Sequence, residues 1–449
     1  MTQTTEFKKS LNLFGVVFLG LAWMTPMIFF TVYGVAFEAA GGMLAAAYVV
    51  AFIAIFFTAY SYSRMVKAYP ISGSAYTYTK KAINPKMGFL VGWALLLDYI
   101  VSPIIACLTF GLFLNAQFPS IPVYVWIILL NVILAFVNII GIKSVARVSG
   151  FSVIFQILFI IFFCAFVTKD ILVGGDGSGL FSFQPFFSSD FSVSTIFSGA
   201  ALICFCFLGF DAVTTMAEET VNPRKTIPKA IFLIVIIAAV LYISISYLTQ
   251  LAYPNFTFEN GDTASFELIQ MVGGNLLSAL FTTVLIVATF TQGVSSVTSV
   301  TRFLFALGRE SILPNKVFGY LHPKNKTPVI NIIFVTIISF FSIAIDLDTA
   351  VTFVSFGALT AFTFVNLSVI SHYYVKSKMR SAKQTFLYLI FPFVGACFIG
   401  WLLTLLEAQT LLIGIAWIVI GFIYIGIRIS MFKKPISTLK EGKVAIENR

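Results

Sequence analysis

The sequence predicts an all-α polytopic membrane protein with twelve transmembrane helices. The 449-residue chain is 59% hydrophobic and 10% charged, whereas soluble globular domains contain about 25% charged residues. Twelve apolar runs approach the length of about 20 residues that a helix needs to cross the hydrocarbon core of a bilayer. When the chain is folded through a membrane along these runs, all 28 Lys and Arg residues except Lys169 fall on one side. Basic loops remain in the cytoplasm, so we expect a plasma-membrane protein with cytoplasmic N- and C-termini.

The predicted spans form two groups of five and a final pair, within a single transmembrane domain over residues 1–449. The groups cover about residues 11–167, 194–374 and 386–429. In chain order the spans are Leu11–Phe37, Gly42–Met65, Met87–Leu114, Ile121–Ile140, Gly150–Val167, Ser194–Ala217, Ala230–Ala252, Leu276–Leu304, Pro328–Ile345, Ala350–Tyr374, Phe386–Leu405 and Leu411–Ile429. Because five is an odd number, the second group enters from the opposite side, which predicts a 5+5 inverted repeat.

The first and sixth spans carry helix-breaking residues near their middle, Pro26 and Gly209. Backbone groups freed at membrane depth are tolerated only where they are buried in protein or line a cavity. Paired interruptions at corresponding positions of an inverted repeat indicate a substrate site at the bilayer midplane. The alternative is that both helices are simply kinked. The substrate-binding candidates at the two breaks are Thr25, Pro26, Met27, Phe207, Gly209, Phe210 and Asp211.

Asp98 and Asp211 are the acidic residues that fall inside the predicted spans, away from their ends. A charge at the bilayer centre costs about 3 kcal/mol or more, so an intramembrane acid is a functional candidate by default. Each carboxylate is a candidate to hold a substrate ammonium or to take up a coupling ion. The alternative is a structural carboxylate that joins two helices through hydrogen bonds to Ser, Thr or Tyr.

Small polar residues in the eighth span suggest an ion site. Ser295, Ser296 and Ser299 are candidates for a cation site against the first helix. The alternative is that they only join helices, as small polar residues often do in membranes.

Glu218 and Glu219 lie at the predicted cytoplasmic end of the sixth span. We expect them to form a gate or to anchor a loop near Arg224 and Arg302. The alternative is a solvated pair of charges.

Several classes of function are disfavoured. The sequence contains no Gly-x-x-x-x-Gly-Lys-Ser/Thr phosphate loop, which an ATP-driven pump would use. The five cysteines lie in apolar runs without metal-ligand spacing, so we expect no disulfide and no metal. His322 and His372 form no visible catalytic cluster, which argues against an enzyme. The net charge of +10 lies at span ends, where it faces lipid rather than nucleic acid. A channel would favour a charged ring or a carbonyl filter, whereas this chain has an internal repeat and single acidic residues within its spans. We expect no cofactor and no obligatory protein partner.

Three spaced motifs resemble permeases of the amino acid–polyamine–organocation superfamily. Cys206–Asp211 resembles the sixth helix of that superfamily, and the Glu, Asn-Pro and Ile-Pro residues that follow resemble the next loop. Pro70–Tyr78 resembles the loop between helices two and three, and Thr301–Leu304 resembles the end of helix eight. The resemblance runs from about Ser10 to Ile429. It implies a LeuT-like fold of twelve helices, with helices 1 and 6 discontinuous.

Within this superfamily the chain is similar to the bacterial putrescine importers, for example at Leu97–Tyr99 and Ala361–Ser368. This similarity implies proton-driven uptake of a small amine and a role for Tyr99 in substrate recognition. Two residues depart from the pattern. Thr31 stands where those importers have an aspartate, and Gln156, which cannot titrate, stands where many proton-coupled relatives have a lysine.

The substrate class stays open between a small amine and an amino acid. The N–H groups at a half-helix N-terminus suit a carboxylate, and unwound carbonyl groups suit an ammonium, which together would bind an α-amino acid. A diamine has no carboxylate and needs acidic partners, and Phe207 and Phe210 are candidates to stack on its charge. We expect the coupling ion to be a proton, with sodium as the alternative.

Overall fold

The computed structural model describes residues 7–173, 180–187, 193–254, 256–258, 261, 264–323, 325–406 and 408–432. Within these residues the chain has eleven helices that are long and apolar enough to cross a membrane. The all-α polytopic fold is therefore confirmed. The basic residues of the tail from Lys433 onward lie outside the described residues.

Twelve apolar helices, labelled α1 to α12, follow the order of the predicted spans. They are α1 (Leu13–Thr31), α2 (Leu44–Ala68), α3 (Pro85–Asn115), α4 (Val123–Ile140), α5 (Val145–Val173), α6 (Val193–Glu219), α7 (Pro223–Ala252), α8 (Ala264–Arg309), α9 (Val329–Ile343), α10 (Thr349–Lys376), α11 (Ala382–Thr404) and α12 (Ala408–Ile427). α9 is shorter than the other eleven. A short extra helix, Ser74–Ala82, connects α2 to α3.

Burial separates inner helices from outer ones. In α1 and α3, 78% and 89% of the most apolar window is buried within the protein, whereas the fraction is 28% in α4 and 17% in α12. In a membrane protein the exposed apolar surfaces face lipid. α1 and α3 therefore belong to the interior of the bundle, and α4 and α12 belong to its periphery.

The helix in α1 ends at Met24 and starts again at Ile28. Between them Thr25 has a φ of +54°, a conformation that non-glycine residues rarely adopt. Pro26 follows and has no N–H to continue the helical hydrogen bonds. The predicted interruption of the first span is therefore present.

The sixth span is interrupted too, and it is also wound differently from a standard helix. An α-helix over Val193–Ile203 tightens into a 3₁₀ turn at Cys204–Phe207, and a second 3₁₀ segment covers Ala212–Glu219. Gly209, between them, has a φ of +127°, and a Cβ atom there would lie 2.8 Å from the backbone nitrogen of Met24. Glycine is therefore required both for the backbone conformation and for the close approach of the two breaks.

α8 is much longer than predicted. It extends from Ala264 to Arg309, whereas the predicted span begins at Leu276. The added N-terminal part contains the polar residues Glu267 and Gln270. They lower the local hydropathy, so this part is not recognised in the sequence as belonging to the span. Gly274, with a φ of +59°, bends the helix where the two parts meet.

Candidate functional site

Asp211 lies at the break of α6, where its carboxylate accepts two hydrogen bonds. The Tyr99 hydroxyl group donates to Asp211 Oδ2 at 2.9 Å, and the Gly209 N–H donates to Oδ1 at 3.3 Å. Asp211 and Tyr99 are both buried. Because Tyr99 belongs to α3, the Asp211 carboxylate joins α3 to α6. In this conformation it makes the kind of helix-joining hydrogen bond that the sequence analysis gave as the alternative to a functional role.

Asp98 is as deeply buried as Asp211 but has weaker hydrogen bonding. Its carboxylate accepts one side-chain hydrogen bond, from the Ser102 hydroxyl group at 3.4 Å. Its backbone packs against α10, where a Cβ atom on Gly357 would lie 3.0 Å from the Asp98 nitrogen. Asp98 is therefore the carboxylate with more unused acceptor capacity.

The two carboxyl groups belong to one buried region, because Asp98 directly precedes Tyr99, whose hydroxyl group donates to Asp211. None of the ion pairs found in the described part of the chain involves Asp98 or Asp211. Two carboxylates that share a dry site resist being ionised together. A proton on one of them, or a bound cation between them, relieves this repulsion.

The break in α1 offers few backbone donors, because those around it are already in use. Three N–H groups are paired with oxygen atoms: Thr25 with Leu21 O (2.8 Å), Met27 with Gln156 Oε1 (3.5 Å) and Ile28 with Thr25 O (2.8 Å). Pro26 has no N–H group. In this conformation the four residues from Thr25 to Ile28 therefore present no free donor to an incoming carboxylate.

A narrow cavity of about 10 Å³, the size of about one water molecule, lies beside both breaks. Its lining includes Trp23, Met24, Ser102, Phe205, Leu208 and Gln292. An adjoining cavity of about 20 Å³ shares Ile28, Ile105, Phe205 and Gln292 with the first. Thr31 lines this second cavity, so the position that departs from the putrescine importers lies on a path leading away from the break.

Phe207 and Phe210 are buried, but each packs against rings of neighbouring helices. The Phe207 ring lies 5.5 Å from that of Tyr242 in α7. The Phe210 ring lies 5.2 Å from that of Phe362 in α10. The lining of the cavity instead includes Phe205 from the same 3₁₀ turn as Phe207. Phe205 is therefore the phenylalanine of this segment whose side chain reaches the cavity, and Phe207 and Phe210 do not line it.

The predicted serine site lies where α8 meets α1. The Ser295 hydroxyl group donates to the Leu19 carbonyl at 2.6 Å, which joins the two helices. Ser296 donates to Gly293 within α8. The Ser299 hydroxyl group is buried and has no hydrogen-bond partner among the described residues. Ser295 therefore joins α8 to α1, while the Ser299 oxygen has no hydrogen-bond partner among the described residues.

Glu218 and Glu219 both form ion pairs with α8, and one of their two partners is an arginine that the sequence suggested. Glu219 pairs with Arg302 at 2.7 Å, and both side chains are almost completely buried. Glu218 forms two hydrogen bonds of 2.7 Å with Arg309. Arg224 is exposed at the start of α7. The expected contact with Arg302 is therefore present, and Arg309 takes the place of Arg224.

Further contacts close the same end of the bundle, which we call the basic end. The backbone N–H of Leu11 donates to the Glu219 carbonyl at 3.0 Å, so the segment before α1 lies across the end of α6. Glu310 accepts hydrogen bonds from Lys80 (2.5 Å) and from Tyr76, both in the Ser74–Ala82 helix. Sequence reasoning missed this second cluster because its members lie 230 residues apart.

The chain is similar over nearly its whole length to a known family and to several transporters. The profile of the family described as amino acid permease matches residues 15–436. Low-affinity putrescine importer PlaP of Escherichia coli strain K12 is 37% identical over 440 residues, which are 97% of each chain. Branched-chain amino acid permease BcaP of Bacillus subtilis strain 168 is 26% identical over 450 residues, covering 93% of this chain and 92% of the relative. The methylthioribose transporter of the same strain is 27% identical over 446 residues, covering 94% and 93%.

Proposed function

The chain belongs to the amino acid permease family, and from this membership we propose that it imports a small amine, putrescine or a related polyamine, together with protons. It is a membrane transporter rather than an enzyme. The proposed mechanism is alternating access around a site at the bilayer midplane. The site lies between the broken helices of two inverted five-helix repeats, and the basic end faces the cytoplasm.

The observation that carries the substrate class is the balance between the backbone donors at the α1 break and the two buried acids. The residues from Thr25 to Ile28 present no free N–H group. Asp98 and Asp211 are buried, and neither has a cation partner among the described residues. An unpaired charge in a dry site is costly. A solute with one or more ammonium groups and no carboxylate fits this site better than an α-amino acid does.

The contacts at the basic end support a state that is closed toward the cytoplasm. The Glu219–Arg302 pair is buried, and the Leu11 segment lies across it. The two narrow cavities run from the breaks past Thr31, away from these ion pairs. In the proposed cycle the substrate enters from that side, and release requires the ion pairs at the basic end to separate.

The carboxylate pair also supports coupling to protons. If a substrate ammonium occupies one carboxylate, the second still resists ionisation in the dry site and favours a proton. Gln156 holds the Met27 N–H and carries no charge, so the acids are better candidates for the coupling proton. The alternative is sodium at Ser295, Ser296 and Ser299, where the free Ser299 oxygen is the supporting observation.

A second candidate function is an amino acid permease of the same family. Thr31 favours it, because a diamine loses one possible counter-charge when the aspartate of the putrescine importers is missing. The similarity to branched-chain amino acid permease BcaP supports it as well. In this reading the break in α1 would have to rearrange so that its N–H groups become free for the substrate carboxylate.

Uptake into proteoliposomes tests the proposal directly. Labelled putrescine is offered with and without an imposed pH gradient, and with or without sodium. Agmatine, cadaverine, spermidine and the twenty amino acids are then added as competitors. We expect accumulation that follows the pH gradient and competition by the diamines. Competition by one amino acid and by no diamine would overturn the substrate class while leaving the transporter assignment intact.

A further inference from the structure

Arg64 is a cation inside the apolar helix α2, and no acidic side chain of the described residues forms an ion pair with it. Three other cations of the basic end, Lys80, Arg302 and Arg309, each pair with a glutamate. No ion pair found among the described residues includes Arg64, although it lies only four residues before the end of α2 at Ala68. Burying a guanidinium without a counter-charge costs free energy, and binding an anion from outside the chain would lower that cost.

The Arg64 guanidinium is held in place by tyrosine rings from two helices. Its central carbon lies 4.9 Å from the ring centroid of Tyr60 and 5.6 Å from that of Tyr388 in α11. The Tyr388 ring stacks on Tyr373 of α10 at 4.6 Å. The Tyr373 hydroxyl group donates to the Arg64 carbonyl at 3.0 Å. These contacts orient the guanidinium, but they do not neutralise its charge.

Unusual backbone geometry supplies two of these rings. Tyr373 lies in a π-helical segment, Ile370–Lys376, and Tyr388 lies in another, Phe386–Ile390. π-helical turns are rare and are frequently found at functional sites. Their pairing around one arginine indicates that the position of this guanidinium is specified by the fold.

A second positive charge stands beside the first. Lys67 is exposed, lies three residues after Arg64 in α2, and interacts with it as a like charge. Residues three apart share one face of a helix. The repulsion between them is relieved when an anion binds between the two side chains.

The two helices that flank the Arg64 guanidinium, α2 and α11, also carry exposed apolar side chains. Phe386 and Ile390 on α11 are 53% and 47% exposed, and Ile53 on α2 is 44% exposed. In a membrane protein such surfaces face the acyl chains. An anion that reaches Arg64 and Lys67 along this surface must therefore carry apolar chains of its own.

We propose that Arg64 and Lys67 bind the phosphate group of an anionic phospholipid in the leaflet at the basic end. Arginine forms paired, charge-assisted hydrogen bonds with phosphate oxygens. Basic pockets between transmembrane helices bind anionic headgroups in the same manner. The acyl chains lie along Ile53 and Ile390. This site is separate from the carboxylates of the proposed transport site and does not depend on which solute is carried.

The test uses the purified, delipidated full-length protein in a neutral detergent. Phosphatidylglycerol, phosphatidylcholine or inorganic phosphate is titrated while thermal unfolding and lipid binding by native mass spectrometry are followed. We expect phosphatidylglycerol to bind and to raise the unfolding midpoint, and the other two to have little effect. Arg64→Gln should weaken phosphatidylglycerol binding about tenfold, since it removes the charge-assisted hydrogen bonds to the phosphate group.

Lys378→Gln is the matched control, because Lys378 is an exposed cation in the loop after α10, and it should bind phosphatidylglycerol like the wild type. If Arg64→Gln does not yield folded protein, Arg64→Lys and Lys67→Gln replace it, and each should weaken binding. Equal binding of phosphatidylglycerol and phosphatidylcholine would overturn the proposal. So would unchanged lipid binding in the Arg64 and Lys67 variants, and an effect of free phosphate as large as that of the lipid would show that no lipid site exists.

Discussion

The Tyr99 hydroxyl group donates a 2.9 Å hydrogen bond to Asp211, and this contact ties the middle of α3 to the break in α6. Tyr99 follows Asp98 directly in the sequence, so the same stretch of α3 supplies the second buried carboxylate. The Tyr99 ring also packs 5.3 Å from that of Trp23, just before the break in α1. One tyrosine thus connects both interrupted helices and both acids.

Tyr99→Phe removes this hydrogen bond and keeps the ring. We expect uptake to fall and the thermal unfolding midpoint to drop, because a buried group that loses its partner costs about 1–3 kcal/mol. Tyr78→Phe is the matched control, since the Tyr78 hydroxyl group is buried and makes no hydrogen bond of standard length and angle among the described residues. Uptake and unfolding of the purified variants are measured side by side. Equal effects of the two substitutions would contradict the role assigned to the Tyr99 contact.

Asp98→Asn and Asp211→Asn should each reach the membrane but reduce uptake at least about tenfold, since each removes a charged acceptor worth about 1.5–3 kcal/mol. Binding of labelled substrate without a gradient then separates their roles. A variant that binds normally but does not accumulate substrate under a pH gradient has lost the proton site. A variant with weakened binding has lost the ammonium site. Wild-type uptake in both would leave the carboxylates with a structural role only.

Thr31→Asp places a carboxylate in the cavity that leads away from the break. If the site accepts diamines, this counter-charge should strengthen putrescine binding, because a second ammonium group then has a partner. Thr31→Asn has a similar shape without the charge and serves as the control. The inhibition constants of putrescine and of single-amine solutes are compared in both variants. A gain for putrescine with Asn as well as Asp would show that charge is not the cause.

Glu219→Gln should destabilise the protein more than Glu218→Gln. Breaking a buried ion pair costs about 3–5 kcal/mol because the other charge is left uncompensated. The Arg309 side chain is 35% exposed, compared with 1% for Arg302, and partly exposed pairs contribute about 1 kcal/mol or less. Thermal unfolding in detergent measures the difference. The reverse order would show that the exposed pair is the main contact at the basic end.

The orientation of the chain is tested by labelling single cysteines in a background without the native ones. Phe181 is 94% exposed between α5 and α6, and Ser377 is exposed after α10. We expect Phe181→Cys to react with an impermeant maleimide in intact cells and Ser377→Cys to react only after permeabilisation. The opposite pattern would place the basic end outside the cell.

The interruptions and the buried acids could be predicted from the sequence because each depends on a residue type with a strong local effect. Pro26 removes a backbone donor, Gly209 permits a left-handed conformation, and Asp98 and Asp211 are conspicuous in apolar runs. The proximity of the two glutamates to Arg302 was expected from the predicted span ends, whereas the contact of Glu218 with Arg309 was not.

The facing of side chains at the break could not be predicted in the same way. The motif identifies Phe207 and Phe210 by their position in the chain and carries no information on which way each side chain faces. Cys204–Phe207 winds as a 3₁₀ turn with about three residues per turn, and the side chain of this turn that lines the cavity is Phe205. Gln156 accepts a hydrogen bond from the Met27 N–H only because α5 packs against the break in α1. A local sequence pattern does not predict how two distant helices pack.

The 3₁₀ winding of Ala212–Glu219 makes this segment longer along its axis than an α-helix of the same number of residues. This segment has 8 residues, and a 3₁₀ helix rises about 2.0 Å per residue where an α-helix rises about 1.5 Å. Rewinding the segment as an α-helix therefore shortens it by about 4 Å. One end is held at Asp211 and the other at the Glu219–Arg302 pair, so a change in pitch alone alters the distance between the carboxylate and the ion pair, without any helix moving as a rigid rod.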